Sequence, residues 1–174
     1  MTNIILCGFH ASGKTTVGQA LAKQLNKTFV DTDALIEEKY RNLYQDNKSC
    51  REIYQQHGEE VFREIEKSVI ESLPIKTDSV IALGGGTLTS QSNQERIKKM
   101  GTLIYLNTKK AILLERISKN GVPSFLQNAS FDSFFEERTR SFKKLADFSI
   151  SVENRSPDDI AEEINLYLTG VKNG

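Results

Sequence analysis

Five short apolar runs alternate along the chain with longer segments whose apolar residues recur at helical spacing. The runs lie at 3–7, 28–30, 79–83, 102–106 and 148–152. Short apolar runs between helical patterns predict buried strands. Such alternation is typical of βαβ units, so we predict an α/β fold in three α/β/α layers with a central five-stranded parallel sheet.

The helical segments are predicted from apolar residues spaced three and four apart. They lie at 15–25, 32–41, 50–57, 59–73, 91–100, 109–119, 131–145 and 157–168. The last helix has a start signal, because Ser156 can cap it and Pro157 suits its first position. No repeat or linker divides the 174 residues, so we predict one domain over 1–174 with a frayed tail at 170–174.

The most specific chemical signal is the stretch GFHASGKT, from Gly8 to Thr15, which follows the first predicted strand and precedes the first predicted helix. A glycine, four residues, and then Gly-Lys-Thr is the pattern of a loop whose backbone N–H groups surround phosphate oxygens. In such a loop Lys14 contacts the β- and γ-phosphates and Thr15 offers its hydroxyl to Mg²⁺. The sequence therefore predicts a nucleoside triphosphate site.

Composition narrows the partners to small molecules. The chain has 23 basic and 23 acidic residues and no long run of one sign, which gives no indication of nucleic-acid or membrane-surface binding. No apolar stretch approaches the roughly 18 residues needed to span a bilayer, and the N-terminus reads as a core strand, so we expect a cytoplasmic protein. Cys7 and Cys50 are expected as reduced thiols, and His10 and His57 as loop and surface residues, although His10 lies in the phosphate loop and could touch nucleotide.

Three weaker signals bear on the second substrate, and each has a simpler alternative. Asp31 and Asp33 follow the second strand, at the sheet edge where open α/β sheets bind ligands, yet Asp33 or Thr32 could simply cap the next helix. Three glycines at 84–86 would let a ligand approach the backbone, or would form a flexible turn. Arg63 and Glu66 share a helix face, as a binding pair or as an ordinary surface ion pair.

These pieces in this order resemble one family, the shikimate kinases, which have the nucleoside monophosphate kinase-like P-loop fold. The resemblance covers nearly the whole chain. It rests on GFHASGKTT, on DTD continuing into ALIE, on GEEVFREIE at 58–66, on LGGGTL around 84–86, and on Arg138 followed by Phe142 and Ala146. It implies ATP-dependent phosphorylation of the shikimate 3-hydroxyl, with Mg²⁺, in aromatic amino acid biosynthesis.

The resemblance also implies a role for each matching position. Asp33 binds the shikimate hydroxyls and, with Lys14, is catalytic; Asp31 is a magnesium ligand through water beside Thr15. Arg116 and Arg155 contact nucleotide, Arg155 by packing on adenine, unless it is merely an exposed arginine at a helix start. The remaining ATP-binding positions are Ala11, Ser12, Gly13, Lys14, Thr15 and Thr16. The remaining shikimate-binding positions are Arg63, Arg138, Gly84, Gly85, Gly86, Tyr54 and Phe62. A substrate subdomain is implied at about 32–73 and a lid, mobile without ligand, at about 119–130.

Two features depart from the family pattern. The family's lid carries an arginine directly before a proline, whereas Val122 stands before Pro123 here. Lys119 or Arg140 could supply the missing charge, a hypothesis refuted if the double alanine variant kept full turnover. The second departure is an insertion of about half a dozen residues within 40–49, which is either a harmless surface loop or a change to the pocket.

Three functions follow from the sequence. The first is shikimate phosphorylation. The second is phosphorylation of another small polyol acid such as gluconate, prompted by the lid and the insertion. The third is a catalytically weak nucleotide- or shikimate-binding sensor, prompted by Val122. We expect a monomer.

Overall fold

The computed structural model describes residues 2–120 and 131–170. Its five strands form one sheet in the order β2-β3-β1-β4-β5, and every neighbouring pair is parallel. The strands are β1 Asn3–Cys7, β2 Thr28–Asp31, β3 Ser79–Ala82, β4 Gly101–Asn107 and β5 Phe148–Ser151. The predicted five-stranded parallel sheet is confirmed.

The helices cover the predicted segments with small shifts at their ends. They are α1 Lys14–Leu25, α2 Thr32–Tyr44, α3 Cys50–Ser72, α4 Gln91–Met100, α5 Lys110–Asn120, α6 Phe131–Leu145 and α7 Pro157–Leu168, with a 3₁₀ turn at Thr87–Thr89. Helix α7 begins where expected: the Ser156 hydroxyl accepts from the Asp159 N–H, and the Asp159 carboxylate accepts from the Ser156 N–H. This reciprocal capping satisfies N–H groups that have no partner within the helix.

Helices cover both faces of the sheet, which gives the three-layer arrangement. On one face, Leu6 and Ile104 pack with Val17 of α1 and Ile164 of α7. On the other face, Ile5 and Tyr105 belong to a cluster that includes Ile70 of α3, Ile97 of α4 and Phe142 of α6. Burial on both faces explains why the strands read as continuous apolar runs rather than alternating patterns.

A third apolar cluster holds α2 against α3, in the region predicted as the substrate subdomain. It contains Ile36 and Tyr40 of α2 with Ile53, Phe62 and Val69 of α3. Helix α3 is broken at Gly58, whose φ of 80° and ψ of 177° are not helical. The two predicted helices, 50–57 and 59–73, are the two halves of α3, and the residue between them is the one that tolerates this backbone conformation.

The insertion within 40–49 is only partly a loop. Helix α2 continues to Tyr44, three residues beyond its predicted end at Arg41, and stops at Gln45 in the left-handed conformation. The predicted lid, except for Lys119 and Asn120, lies outside the described residues, as does Val122. Within the described part of the chain, no helix is long and apolar enough to cross a membrane.

Candidate active site

Three loops with chemical signals meet at the carboxyl edge of the sheet because β2, β3 and β1 are neighbours there. The phosphate-type loop follows β1, Asp31 closes β2, and the glycines at 84–86 follow β3. Ligands of open parallel sheets bind at this edge. In the strand register, Ala82 pairs with both Asp31 and Leu6, so the three strands end side by side and the loops that follow them begin next to one another.

The loop after β1 needs its glycines. Gly8 has φ 151° and Gly13 has φ 95°, both in the region that favours glycine. A Cβ on Gly8 would lie 2.9 Å from the Ser12 hydroxyl and 3.0 Å from the Leu106 carbonyl. Gly13 is the N-cap of α1, so the loop leads straight into a helix N-terminus, where backbone N–H groups and the helix dipole favour an anion.

Lys14 lies inside this loop. Its ammonium donates to the Gly8 carbonyl at 3.0 Å, to the Phe9 carbonyl at 2.6 Å and to the Ser12 hydroxyl at 3.4 Å. Burial lowers the pKa of Lys14, and the negative charges of Asp33 and Asp31 oppose that shift. Its ammonium group therefore lies within the phosphate loop, close enough to Asp33 and Asp31 for their charges to raise its pKa.

Thr15 and Asp31 present two neighbouring side-chain oxygens at the start of α1. The Thr15 hydroxyl donates to Asp31 Oδ2 at 2.9 Å, while Asp31 Oδ1 accepts from the Asp33 N–H at 3.0 Å. Asp31 is thus the N-cap of α2, and the alternative that Asp33 or Thr32 caps this helix is wrong. The cap orients Asp31 so that its second oxygen faces Thr15.

Asp33 is the carboxylate with the most altered acidity at this edge. Burial raises its pKa from 3.8 to about 6; the charge of Lys14 lowers it, and the charges of Asp31 and Glu66 raise it further. Its Oδ1 lies 2.6 Å from the position that a Cβ on Gly84 would occupy. The carboxylate therefore requires glycine at position 84.

The glycine turn at 84–86 lies against the phosphate loop, the start of α2 and helix α3. The Gly84 N–H donates to the Thr32 hydroxyl at 2.9 Å. A Cβ on Gly85 would lie 3.0 Å from the His10 backbone nitrogen, and one on Gly86 would lie 2.4 Å from an Arg63 guanidinium nitrogen. The turn is thus a place where the backbone approaches other residues closely.

Arg63 forms the ion pair predicted with Glu66, but the pair is not an ordinary surface pair. Arg63 Nη1 lies 2.8 Å from Glu66 Oε1, and Glu66 is 1% exposed. The other Glu66 oxygen accepts from the Thr87 hydroxyl at 2.8 Å. Helical spacing predicted the pairing, but nothing in the sequence marked Glu66 as buried or Thr87 as its partner, since Thr87 lies in a separate segment.

Arg138 of α6 lies near Arg63. Its guanidinium is 5.3 Å from the centre of the Phe134 ring. Burial lowers the pKa of Arg138, and the positive charge of Arg63 lowers it further. Two guanidinium groups that repel each other can together bind a carboxylate, which relieves the repulsion.

Tyr54 and Phe62 are in contact across the break in α3. Their ring centroids are 5.8 Å apart with the planes at 62°, and Phe62 is buried while Tyr54 is half-buried. The Arg63 guanidinium carbon lies 5.4 Å from the centre of the Phe62 ring. The structure therefore brings both predicted ring-lining residues next to the predicted carboxylate-binding arginine.

The predicted nucleotide-binding arginines have protein partners at the edges of the site. Arg116 of α5 donates to the Ala11 carbonyl at 2.9 Å, which places it over the phosphate loop. Arg155 donates to the Asp159 carbonyl at 3.0 Å and pairs with Glu163, so it is half-buried at the start of α7 rather than freely exposed. Lys119 pairs with Glu115 at 2.6 Å, whereas Arg140 is exposed on α6.

Both cysteines are free, as predicted. Burial raises the pKa of Cys7 to about 12 and also raises the pKa of Cys50, so both are neutral thiols. His10 is exposed, but the expectation of a surface His57 is wrong: His57 is half-buried, and its Nε2 lies 2.8 Å from the Tyr40 hydroxyl. No pattern in the sequence indicates this contact, because Tyr40 and His57 are on different helices.

Comparisons with known proteins agree with this arrangement. The family model described as shikimate kinase matches residues 10–169. A shikimate kinase from Sulfurihydrogenibium sp. (strain YO3AOP1) is 36% identical over 174 residues, covering 99% of each chain. One from Chlamydia pneumoniae is 38% identical over 156 residues, covering 87% of this chain and 86% of the relative.

A solved structure is also similar over the full length. The shikimate kinase from Acinetobacter baumannii in complex with shikimate superposes with a TM-score of 0.87 at 29% identity, covering 100% of this chain and 96% of that one. The family model and the two relatives each span most of the chain. This chain therefore belongs to the shikimate kinase family.

Proposed function

We propose that this chain transfers the γ-phosphoryl group of ATP to the 3-hydroxyl of shikimate, giving shikimate 3-phosphate and ADP, on the route to chorismate and the aromatic amino acids. Membership of the shikimate kinase family makes it an ATP-dependent phosphotransferase. The observation that carries the assignment of the site is the position of Asp33. Its carboxylate lies against the glycine turn at 84–86. It is also close enough to Lys14 of the phosphate loop for the lysine charge to lower its pKa.

The donor side consists of the loop at 8–16. Backbone N–H groups of Ala11, Ser12, Gly13 and Thr16 would bind the phosphates, and the Lys14 ammonium would exchange its carbonyl partners for the β- and γ-oxygens. Arg116, already over the loop, would reach the nucleotide, and Arg155 would pack on the adenine. Phosphoryl transfer depends mainly on positioning and charge neutralisation, which these groups supply.

Mg²⁺ fits the oxygen pair at the start of α1. Thr15 and Asp31 present a hydroxyl and a carboxylate 2.9 Å apart, and Mg²⁺ prefers such hard oxygen ligands together with water and substrate phosphates. We propose that Thr15 ligates the ion directly and Asp31 through water. When bound, the ion neutralises charge on the β- and γ-phosphates.

On the acceptor side, Arg63 and Arg138 would bind the shikimate carboxylate as forked donors, with backbone groups of the glycine turn beside them. Tyr54 and Phe62 would pack on the ring. Asp33 would accept a hydrogen bond from the attacking hydroxyl. As the new bond to the γ-phosphorus forms and the bond to the β,γ-bridging oxygen breaks, the hydroxyl proton would pass to Asp33.

Val122 stands where the family's lid carries an arginine, and this replacement keeps the sensor as a second candidate function. The retained Lys14, Thr15, Asp31 and Asp33 support catalysis instead.

We also propose that the protein acts as a cytoplasmic monomer on small molecules, without nucleic-acid or membrane partners, since its charges balance at 23 of each sign.

A coupled assay of ADP release with shikimate, gluconate and nucleoside monophosphates as parallel acceptors tests the function. We expect ADP release with shikimate as the acceptor and with none of the other acceptors. A higher rate with gluconate would favour the polyol-acid kinase. Measurable ATP binding without ADP release from any acceptor would favour the sensor.

A further inference from the structure

Glu66 is a buried carboxylate beside the site that the proposed transfer does not use directly. Only 1% of the residue is exposed, and each of its oxygens has a partner. Oε1 accepts from Arg63 Nη1 and Oε2 accepts from the Thr87 hydroxyl, both at 2.8 Å. A carboxylate taken out of water is costly unless its oxygens are paired in this way. Glu66 therefore connects Arg63 of α3 to the 3₁₀ turn that begins at Thr87.

Thr87 is held in place by hydrogen bonds on both of its backbone polar groups. Its N–H donates to the Gly84 carbonyl at 3.2 Å, and its carbonyl accepts from the Asn93 side chain of α4 at 3.1 Å. Thr87 is 0% exposed and Asn93 is 2% exposed. A buried residue held by hydrogen bonds on both sides has little freedom to move, so the Thr87 hydroxyl offers Glu66 a donor in a fixed position.

Arg63 is the end of this chain of contacts that a ligand can reach. About a quarter of its side chain, 26%, is exposed, whereas Glu66 is buried. Its guanidinium lies against the glycine turn, because a Cβ on Gly86 would lie 2.4 Å from Nη2 and 2.7 Å from Nη1. Glu66 and Thr87 can therefore act on an acceptor through Arg63, without touching it themselves.

We propose that Thr87 is a positioning residue for the carboxylate of the acceptor: its hydroxyl fixes Glu66, and Glu66 holds the Arg63 guanidinium in the orientation that binds shikimate. The proposal rests on the proposed function, since it concerns the same acceptor pocket. Arginine has many rotamers, so a guanidinium that is held before binding loses less entropy when the ligand arrives. Without the Thr87 hydroxyl, Glu66 Oε2 would lose its donor, the carboxylate would turn toward another one, and its pair with Arg63 would shift.

The kinetic test compares Thr87→Val, which keeps the shape of the side chain but removes the hydroxyl, with Thr87→Ser, which keeps the hydroxyl. We expect Thr87→Val to raise the KM for shikimate about tenfold, the loss typical of one hydrogen bond to a charged group. The kcat should change less than about threefold, because Arg63 binds a part of the substrate that does not react. Thr87→Ser should stay close to the wild type. An unchanged KM in Thr87→Val would overturn the proposal.

The matched control is Ser79→Ala. It removes a hydroxyl that is also buried but lies at the opposite end of β3, where it donates to the Thr77 carbonyl. We expect the kinetics of Ser79→Ala to match those of the wild type. A KM for shikimate raised as much as in Thr87→Val would overturn the proposal, because the loss of any buried hydroxyl would then have the same effect.

A second acceptor separates positioning of Arg63 from a general loss of structure. The acceptor is the shikimate analogue whose carboxylate is reduced to an alcohol, assayed well below the unfolding temperature of each variant. We expect Thr87→Val to lower kcat/KM about tenfold for shikimate and less than about twofold for the alcohol, which lacks the charge that Arg63 binds. Equal losses for the two acceptors would overturn the proposal, since a structural defect would affect both alike.

A measurement without substrate separates this proposal from the function itself. In the ligand-free protein, the guanidinium N–H signals of Arg63 can be assigned by NMR through their absence in Arg63→Lys. They should be resolved in the wild type, because the pair with Glu66 slows rotation of the group, and averaged in Thr87→Val. Identical signals in both proteins would overturn the proposal. If the wild type turns over no shikimate, the proposed function fails, whereas these signals still report whether Thr87 holds Arg63.

Discussion

At the scale of single residues, Asp33 shows how the fold changes the chemistry of a side chain. Burial raises its pKa to about 6, despite the opposing charge of Lys14. A carboxylate with a pKa close to the working pH can accept a proton at little cost and can still be ionised in most molecules at neutral pH. Whether Asp33 removes the proton or orients the hydroxyl, the ionised form is required.

The raised pKa of Asp33 predicts the acid limb of the pH profile. We expect kcat/KM for shikimate to be full above about pH 7 and to fall tenfold per pH unit below an apparent pKa of about 6, because the protonated carboxyl cannot accept the hydroxyl proton. Measurement of kcat/KM from pH 5 to 9 checks this. An acid limb near pH 4 would contradict the buried environment of Asp33.

The same shift predicts an opposite effect on stability. A carboxyl group whose pKa is higher in the folded state favours folding when it is protonated, and that contribution is lost as the pH rises from about 4 through about 6. Asp33→Asn removes the carboxylate that accepts the hydroxyl proton, so it should lower kcat by about 10² or more. Its unfolding temperature at pH 8 should equal or exceed that of the wild type, as measured by calorimetry. A clear loss of stability at pH 8 would show that the ionised carboxylate stabilises the fold.

Arg138 gives a prediction about substrate affinity rather than rate. Arg138→Ala should raise the KM for shikimate roughly tenfold to a hundredfold, the loss expected for a hydrogen bond to a charged group. Relief of repulsion with Arg63 opposes the lost packing on Phe134, so the unfolding temperature should change little. Lys143→Ala, on the same helix, is the control. A change in the KM for ATP alone would place Arg138 outside the shikimate pocket.

At the level of secondary structure elements, α2 and α3 depart from the predicted helices: α2 continues to Tyr44, and α3 is broken at Gly58. The insertion extends α2 by a turn, and Tyr44 in that turn stacks on Tyr40 at 4.6 Å and lies 5.2 Å from the His57 ring. His57 directly precedes the break at Gly58. The added turn therefore packs against the half of α3 that carries Tyr54.

Tyr44→Ala tests whether the insertion is harmless. We expect a loss of about 0.5–1.5 kcal/mol in the free energy of unfolding, from the lost ring contacts, with kcat and the KM for shikimate unchanged. Leu43→Ala, at a residue that is 60% exposed, is the control and should alter neither. A severalfold change in the KM for shikimate in Tyr44→Ala would show instead that the insertion shapes the pocket.

The sequence predicted these elements well where a local signal exists. Helix α7 was predicted from Ser156 and Pro157, because a cap acts through its own backbone. Helix α3 was predicted as two helices, 50–57 and 59–73, which end and begin on either side of Gly58. The end of α2 was predicted three residues early because Tyr44 is held by the rings of Tyr40 on the same helix and of His57 on α3. The N-cap at Asp31 was missed because three polar residues in a row can each cap a helix.

At the scale of the whole molecule, the site exists because a parallel sheet brings distant segments to one edge. Lys14, Asp33 and Gly84 follow three strands that are neighbours only in space. The βαβ pattern predicted the parallel sheet, and the family resemblance implied that the segments carrying Lys14, Asp33 and Gly84 form one site. Buried supports such as Glu66 with Thr87 were not predicted, because they depend on side-chain packing between α3 and the 3₁₀ turn.

The central claim is that Asp33, Arg63 and Arg138 orient shikimate so that one hydroxyl faces ATP. Phosphorus NMR of the product formed from shikimate, ATP and Mg²⁺ tests this most directly. We predict a single new phosphate monoester, coupled to the hydrogen on carbon 3, in equal amount to ADP. A phosphate on another hydroxyl, a mixture of esters, or ADP without any ester would contradict the account.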